Sequence, residues 1–185
     1  MAIVGVSGTA HAFDFKGLVL GEPITADQIE ALLDKCAPGN GAPCSEIDLL
    51  LNKARVECGT GDGGAKVCNG LTTVAGFPAQ ANIVIGADGT LRRVLLSSIR
   101  SDNFEAIARE LEAKFGAPQG QDASTVQNAF GAQYGQIVLS WTDSQGRRID
   151  FTKYAGTTEN SSLYFGTVQD REVLQQSSSG ARDDL

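Results

Sequence analysis

The sequence has almost no histidine: the 185 residues include a single one, His11. His11 lies in a short apolar stretch at the N-terminus, so residues 13–185 contain none. This absence excludes Ser-His-Asp and Cys-His catalysis and imidazole metal ligation from that part of the chain. An enzyme would have to rely on carboxylate acid–base chemistry, a Ser-Lys pair or an oxygen-ligated metal ion.

Basic residues and long apolar runs are also scarce. The chain has 15 Lys and Arg against 22 Asp and Glu, a formal net charge of −7. Nucleic acids and anionic membranes bind concentrated Lys and Arg, so this balance argues against both as partners. No apolar run approaches the ~20 residues that a membrane span needs. The charge would suit a basic protein partner, although acidity also serves plain solubility.

Length and composition fit one domain preceded by an export segment. The chain is 42% hydrophobic and 20% charged, as in a single globular unit. Residues 10–12, Ala-His-Ala, have the small-x-small form of a signal-peptidase site. We therefore predict a residual export signal over residues 1–12, with a flexible leader as the alternative. Residues 13–174 are predicted to form a single α+β domain, and the polar residues 175–185 a disordered tail.

The four cysteines support export independently. They lie in one third of the chain, and an even number of cysteines in an oxidising compartment favours disulfides. We predict two bridges, Cys36–Cys44 and Cys58–Cys68, because each closes a short loop rich in Gly or Pro. The nested alternative pairs Cys36 with Cys68 and Cys44 with Cys58. A zinc site is disfavoured, since the spacing contains no C-x-x-C knuckle.

Three segments have the apolar spacing of amphipathic helices. They are residues 25–36, which open with a capping pattern, residues 45–58, and residues 102–115, which end at a Gly followed by a Pro. Five further segments alternate as strands do, with turn residues at 87–90 and 143–146 between neighbours. These strands are residues 80–85, 91–99, 136–142, 147–154 and 162–168.

Shorter or less regular segments complete the prediction. Residues 13–18 and 71–75 are weaker strand candidates, and the polar segment 117–136 is predicted to hold a short helix at 126–130. Hairpins joined by tight turns make an antiparallel sheet. The predicted fold class is therefore α+β, with an antiparallel sheet built from hairpins, packed against two or three helices and held by two disulfides.

Two groups of residues are candidates for a binding surface. Pairs of adjacent arginines beside the predicted hairpins would form a basic patch, or would simply protect the sheet edges as solvated charges. Three tyrosines are candidate anchors, since Tyr is enriched at binding hot spots, or they cap the sheet edge. The candidate interface residues are Arg92, Arg93, Arg147, Arg148, Tyr134, Tyr154 and Tyr164.

No residue is predicted to be catalytic, to ligate a metal or to hold a cofactor. Helix acids such as Asp48 and Glu105 serve solubility and capping more simply than they serve glycoside hydrolysis. The glycine-rich residues 59–64 lack the lysine of a P-loop and the alternating acids of an EF-hand. We predict instead a flexible loop closed by Cys58 and Cys68.

The strings FKGLVLGEPIT, DGTLRRV, KFGAP and IVLSWTDSQGRRIDF, in this order, carry a resemblance. The chain resembles small, largely uncharacterised periplasmic proteins and lipoproteins of Gram-negative bacteria. It is also similar in layout to the helix-then-antiparallel-sheet units of beta-lactamase inhibitor proteins and outer-membrane assembly lipoproteins. The resemblance covers residues 13–168 and implies a binding role in the envelope, including inhibitor or immunity functions. It brings no catalytic residues, and no lipobox cysteine lies near Phe13 to anchor the chain.

The leading functional prediction is a non-enzymatic periplasmic or secreted module that binds another protein. An inhibitor or immunity protein against a basic, envelope-targeting toxin would match the acidic charge. Two alternatives stay open. One is a carboxylate-dependent hydrolase of cell-wall glycan, and the other is a carrier with a small-ligand pocket between sheet and helices. The sequence leaves the oligomeric state open.

Overall fold

The computed structural model describes residues 13–32, 57–128 and 130–180. In chain order the elements are β1 (Asp14–Phe15), β2 (Leu18–Val19), α1 (Ala26–Leu32), β3 (Glu57–Thr60), β4 (Lys66–Val74), β5 (Phe77–Ile85), β6 (Leu91–Arg100), α2 (Phe104–Phe115), β7 (Gly120–Gln127), β8 (Gln133–Thr142), β9 (Arg148–Thr152), β10 (Asn160–Gly166) and α3 (Val168–Gly180). The predicted α+β class is confirmed. None of the helices in these ranges is long and apolar enough to cross a membrane.

Eight strands form one antiparallel sheet in the order β3-β4-β5-β6-β10-β9-β8-β7. The chain builds it as two four-stranded meanders, β3 to β6 and β7 to β10, whose last strands pair at the centre. Helix α2 connects the two meanders, and β1 and β2 form a separate two-stranded hairpin. Among the described strands, β3 and β7 are therefore the two edges of the large sheet.

One face of the sheet carries the core. Register places Ile83, Val94, Phe165, Ile149 and Trp141 in one row across five strands, and all five are buried. Alternation with a period of two puts their chain neighbours on the opposite face. That opposite, open face carries the polar side chains that are considered below.

Helix α2 covers the core face with the side chains that its spacing predicts. Its buried residues are Phe104, Ile107, Ala108 and Leu111. Phe104 stacks on Phe151 of β9 with ring centroids 4.4 Å apart. At the other end of the helix, the indole nitrogen of Trp141 donates to the carbonyl oxygen of Gly116 over 2.8 Å. This bond satisfies the polar atom of the largest core side chain and fixes the helix end to β8.

The two predicted hairpin turns are present. Gly89 N–H donates to the carbonyl of Gly86 over 2.9 Å, and Gly146 N–H donates to that of Asp143 over 3.0 Å. Both Gly89 and Gly146 have positive φ, +79° and +73°, which glycine adopts without strain. Aspartates in these turns also accept bonds from backbone N–H groups, as turn aspartates commonly do.

The disulfide prediction is supported in part. Cys58 and Cys68 form a bridge between directly paired positions of β3 and β4. The nested alternative is wrong, because it would require Cys68 to pair with Cys36. Cys36 and Cys44 lie outside the described residues, so one bridge is seen rather than two. The glycine-rich loop is ordered into β3, a short 3-10 turn at Asp62–Gly64 and β4.

Three further predictions differ from the structure. Residues 120–127 form strand β7, and no helix occupies residues 126–128. Residues 175–180 continue helix α3, where the sequence predicts disorder. Residues 57–58 belong to β3, whereas the remainder of the second predicted helix lies outside the described residues.

Candidate functional site

Arg147, one of the predicted interface residues, lies inside the protein. It is 8% exposed, and its Nε donates to the Asp143 carboxylate over 2.5 Å. Its Nη1 donates to the Leu20 carbonyl over 2.9 Å, which ties the β8–β9 hairpin to the chain after β2. This enclosed guanidinium, with one carboxylate and one carbonyl partner, stabilises a junction between segments. Its burial argues against the predicted interface role.

Arg92 braces the turn between β5 and β6. Its Nη2 lies 2.5 Å from a carboxylate oxygen of Asp88 in the turn. Thr90 donates to the same carboxylate from its hydroxyl and its backbone N–H. These bonds from Thr90, assisted by the charge of Arg92, hold the pKa of Asp88 below its usual range. Arg92 thus has a local partner and is a weak candidate for an interface.

Tyr134 and Tyr154, two of the predicted anchors, meet at one end of the sheet. Their ring centroids are 5.8 Å apart in an edge-to-face arrangement. The Gln136 side chain fixes the backbone of Tyr154 at this end of the sheet. Its amide nitrogen donates to the Tyr154 carbonyl, and its amide oxygen accepts from the Tyr154 N–H. The two rings are therefore half-buried against a fixed backbone.

Phe130 lies in the turn between β7 and β8, next to the end of β8 that carries Tyr134, and is 96% exposed. The turn itself is tightly bonded, because the Asn128 carboxamide oxygen accepts from the N–H groups of Phe130 and Ala132, both over 3.0 Å. The Asn128 amide also donates to the Tyr134 hydroxyl over 3.3 Å. The hydrogen bonds that shape the turn thus present a large apolar ring to solvent.

Among the strands that the structure describes, β7 is paired on one side only, so it brings a sheet edge to the same end of the hairpin. It pairs with β8 over all eight residues without a register shift, and most of its side chains are exposed on both faces. Asp122 is its one charged residue, and it contains no Lys or Pro, the residues that usually block edge pairing. A cleft of about 480 Å³ runs between Val126, Asn128 and the loop after Tyr154. We call Phe130, Tyr134, Tyr154 and the outer edge of β7 the hairpin surface.

Tyr164, the third tyrosine, lies elsewhere, on the open face beneath α3. Its hydroxyl donates to the Asp170 carboxylate over 2.9 Å, and its ring lies over Gly166, where any Cβ would clash with it. Arg93 lies 3.5 Å from the other Asp170 oxygen. Burial raises the pKa of Tyr164, and the neighbouring Asp170 charge raises it further. This trio fixes the start of α3 to strands β6 and β10.

Arg148 borders a second cleft on the open face. Its Nε donates to Asp150 over 2.8 Å and its Nη2 to the Ser140 hydroxyl over 3.1 Å. Arg171 of α3 reaches across to the Gly146 carbonyl over 2.6 Å. We call the resulting cleft of about 340 Å³ the arginine cleft. Its lining residues are Arg148, Asp150, Tyr164, Arg171, Leu174 and Gln175.

A third cleft, the core cleft, opens between β1, the β4–β5 turn and α2. It measures about 280 Å³ and has an apolar floor that includes Leu111 and Phe165. Asp14 and Glu110 line it, and Asp14 pairs with Lys114 over 2.9 Å. Throughout the described ranges, no three His, Cys, Asp or Glu residues form a group that could hold a metal ion.

Sequence reasoning missed Phe130, Asp170, Arg171 and Leu174. The sequence predicts a short helix that includes Phe130, although an aromatic residue between Asn128 and Gly131 is also consistent with an exposed turn. The α3 residues were missed because the helix is largely polar. Its start nevertheless carries a capping signal, since the Thr167 hydroxyl accepts from the Asp170 N–H three residues on.

Comparison with known proteins adds no relative. No protein-family model matches the chain, and no curated protein or solved structure matches it significantly. The predicted resemblance to periplasmic and inhibitor proteins therefore stays a prediction. The hairpin surface, the arginine cleft and the core cleft are therefore the structural basis for a functional proposal.

Proposed function

We propose that this protein is an exported, non-enzymatic binding module that holds another protein at the hairpin surface. The observation that carries the proposal is Phe130, 96% exposed on a turn that hydrogen bonds hold in shape. A phenylalanine left in water forgoes about 1.5–3 kcal/mol of burial free energy. A partner that covers the ring recovers this free energy.

The neighbouring aromatic pair supports the same role. Tyr134 and Tyr154 are half-buried and pack edge to face on each other, so part of each side chain stays accessible. Aromatic residues are enriched at the cores of protein interfaces because they bury much area at little entropic cost. The Asn128 bonds fix the Phe130 turn relative to Tyr134, so a partner meets a surface that is already shaped.

The outer edge of β7 supplies main-chain groups to the same surface. In an antiparallel ladder, alternate residues of an edge strand point their N–H and C=O groups away from the sheet. An extended segment of the partner could add to this edge as a ninth strand, a common mode of peptide recognition. Main-chain bonds would then give affinity, and the aromatic side chains would give specificity.

Two features support export and an inhibitor or immunity role within this proposal. The Cys58–Cys68 bridge is of the kind that persists in oxidising compartments such as the periplasm. The net charge of −7 favours encounter with a basic partner, such as an envelope-targeting toxin.

Site-specific photo-crosslinking tests this proposal. Benzoylphenylalanine is introduced at position 130 and, as a matched control, at position 112, where Glu112 is exposed on α2. Cells of the native host are irradiated and the crosslinked products are identified by mass spectrometry. We expect one stoichiometric protein partner from position 130 and none from position 112. Equal products from both positions, or none from position 130, would contradict the proposal.

The core cleft favours one second candidate, a small-ligand carrier. This cleft lies between the sheet and α2, has an apolar floor and is rimmed by Lys16 and Lys114. Such a combination suits a small amphiphile. Displacement of an environment-sensitive dye by envelope lipids would support this candidate, provided that the larger Leu111→Trp side chain abolishes dye binding. Dye binding that survives Leu111→Trp would locate it elsewhere.

A further inference from the structure

We propose that the arginine cleft is a binding site for a small monocarboxylate that carries an apolar tail. This site lies under α3 on the open face of the sheet, and it does not depend on the hairpin surface. Unused hydrogen-bond donors, the local charge and the shape of the cleft support this site.

The guanidinium groups of Arg148 and Arg171 are only partly used. Each guanidinium has five N–H donors. Arg148 donates from Nε to Asp150 and from Nη2 to Ser140, and Arg171 donates from Nη2 to the carbonyl of Gly146. In the part of the chain that the structure describes, the buried Nε of Arg171 has no acceptor, Arg171 has no carboxylate partner, and the bonds of Arg148 leave its Nη1 group for a ligand.

The charge of the cleft matches a single negative charge. Asp150 offsets Arg148, and the Ser140 hydroxyl donates to the same Asp150 oxygen over 2.6 Å. Asp170 is not available to Arg171, because it already bonds to Tyr164 and pairs with Arg93. One positive charge is left over, which suits a monoanion better than a phosphate dianion. A planar carboxylate also fits the forked donors of arginine.

One wall of the cleft carries an aliphatic side chain, that of Leu174. Leu174 is 43% exposed on α3 and lines the cleft opposite the sheet. The volume of about 340 Å³ is at the small end of ligand sites, which suits a molecule of a few carbon atoms. A carboxylate between the arginines would place its tail against Leu174, so affinity should grow with tail length.

Titration followed by NMR tests this inference, with sodium hexanoate as the main probe. Acetate lacks the tail, hexan-1-ol lacks the charge and inorganic phosphate carries excess charge, so these three are the comparison probes at constant ionic strength. We expect saturable shifts of the Leu174 methyl groups, with hexanoate binding about tenfold or more tightly than each comparison probe. Equal affinity for phosphate or hexanol would overturn the proposal.

Variants locate the binding. Arg171→Gln should weaken hexanoate binding about tenfold or more, and Arg100→Gln, which changes a mostly exposed arginine paired with Asp102, should leave it unchanged. If Arg171→Gln fails to fold, Leu174→Asp introduces a like charge at the cleft and should cause the same loss. Unchanged hexanoate affinity in a folded Arg171→Gln or Leu174→Asp variant would refute the site.

Discussion

Asp170 shows how one residue links a helix to the sheet at an electrostatic cost. It is 6% exposed, and it accepts from Tyr164 while Arg93 lies close. Burial raises the pKa of Asp170 above its usual value, and Arg93 and Tyr164 offset part of that effect. The folded protein therefore binds this proton more tightly than the unfolded chain does.

The sign of the resulting pH dependence follows from linkage. The stabilisation due to protonated Asp170 is complete below the unfolded pKa and is lost as the pH rises through the higher folded pKa. We expect the free energy of unfolding of the wild type, minus that of Asp170→Asn, to fall as the pH rises through this window. Urea unfolding of both proteins between about pH 3 and pH 7 measures it. A difference that rises with pH would contradict the prediction.

Two phenylalanines of opposite exposure give a second prediction. Phe151 is fully buried and stacks on Phe104, whereas Phe130 contacts almost nothing. Phe151→Ala should lower the free energy of unfolding by about 3–5 kcal/mol, through lost burial and the cavity left behind. Phe130→Ala should change it by no more than about 0.5 kcal/mol. Urea denaturation of both variants measures these changes. A large loss of unfolding free energy in Phe130→Ala would mean that the ring stabilises the fold.

For single residues, the sequence predicts the burial of apolar side chains well and the location and partners of charged side chains poorly. Trp141 and Phe104 follow from periodicity, since each falls on the core side of a strand or a helix. Arg147 and Arg148 are adjacent in the sequence, but they point to different sides. Arg147 is buried and bonds to Asp143 and Leu20, whereas Arg148 lies on the open face. Arginine pairs look alike until the partners of each are known.

Among the elements, the hairpin of β3 and β4 carries the cross-link. Cys58 and Cys68 face each other across the two strands, and β3 is otherwise a four-residue edge strand with exposed side chains. Replacing both by Ala should lower the free energy of unfolding by about 2–4 kcal/mol under oxidising conditions. Hydrogen exchange should also show that protection is lost first in β3 and β4. Uniform loss over all strands would mean that the bridge stabilises the whole sheet at once.

Strand β7 and helix α3 explain where prediction of elements failed. A strand with one buried face can be predicted because its apolar and polar residues alternate. Strand β7 is an edge strand exposed on both faces, so its sequence GQDASTVQ has no such alternation. Helix α3 is similarly polar over its last turns, and its attachment depends on Asp170, which pairs with Arg93 of β6, and on Arg171, which bonds to the turn between β8 and β9. The pairing of β7 and the contacts of α3 both involve residues that are distant in the sequence. Patterns of neighbouring residues therefore do not predict either element.

The whole molecule combines two meanders into one sheet, with its core on one face, the hairpin surface at the β7 edge and the arginine cleft on the open face under α3. Hairpins and helix α2 could be predicted, because their turns and periods are local. The central pairing of β6 with β10 joins distant segments, and no local pattern specifies it. The same holds for the candidate site. The sequence identifies Tyr134 and Tyr154 as candidate anchors, but the contact between their rings, at the end of the sheet that carries Phe130, arises only from the fold.

This arrangement separates binding from stability. The side chains of the hairpin surface contribute little to the core, so their truncation should affect the partner and spare the fold. Isothermal titration calorimetry of the crosslinked partner against wild type, Phe130→Ala and Leu174→Ala tests this most directly. We predict that Phe130→Ala weakens affinity about tenfold or more, whereas Leu174→Ala, an exposed apolar truncation elsewhere, leaves it unchanged. Equal affinities of wild type and Phe130→Ala would contradict the account.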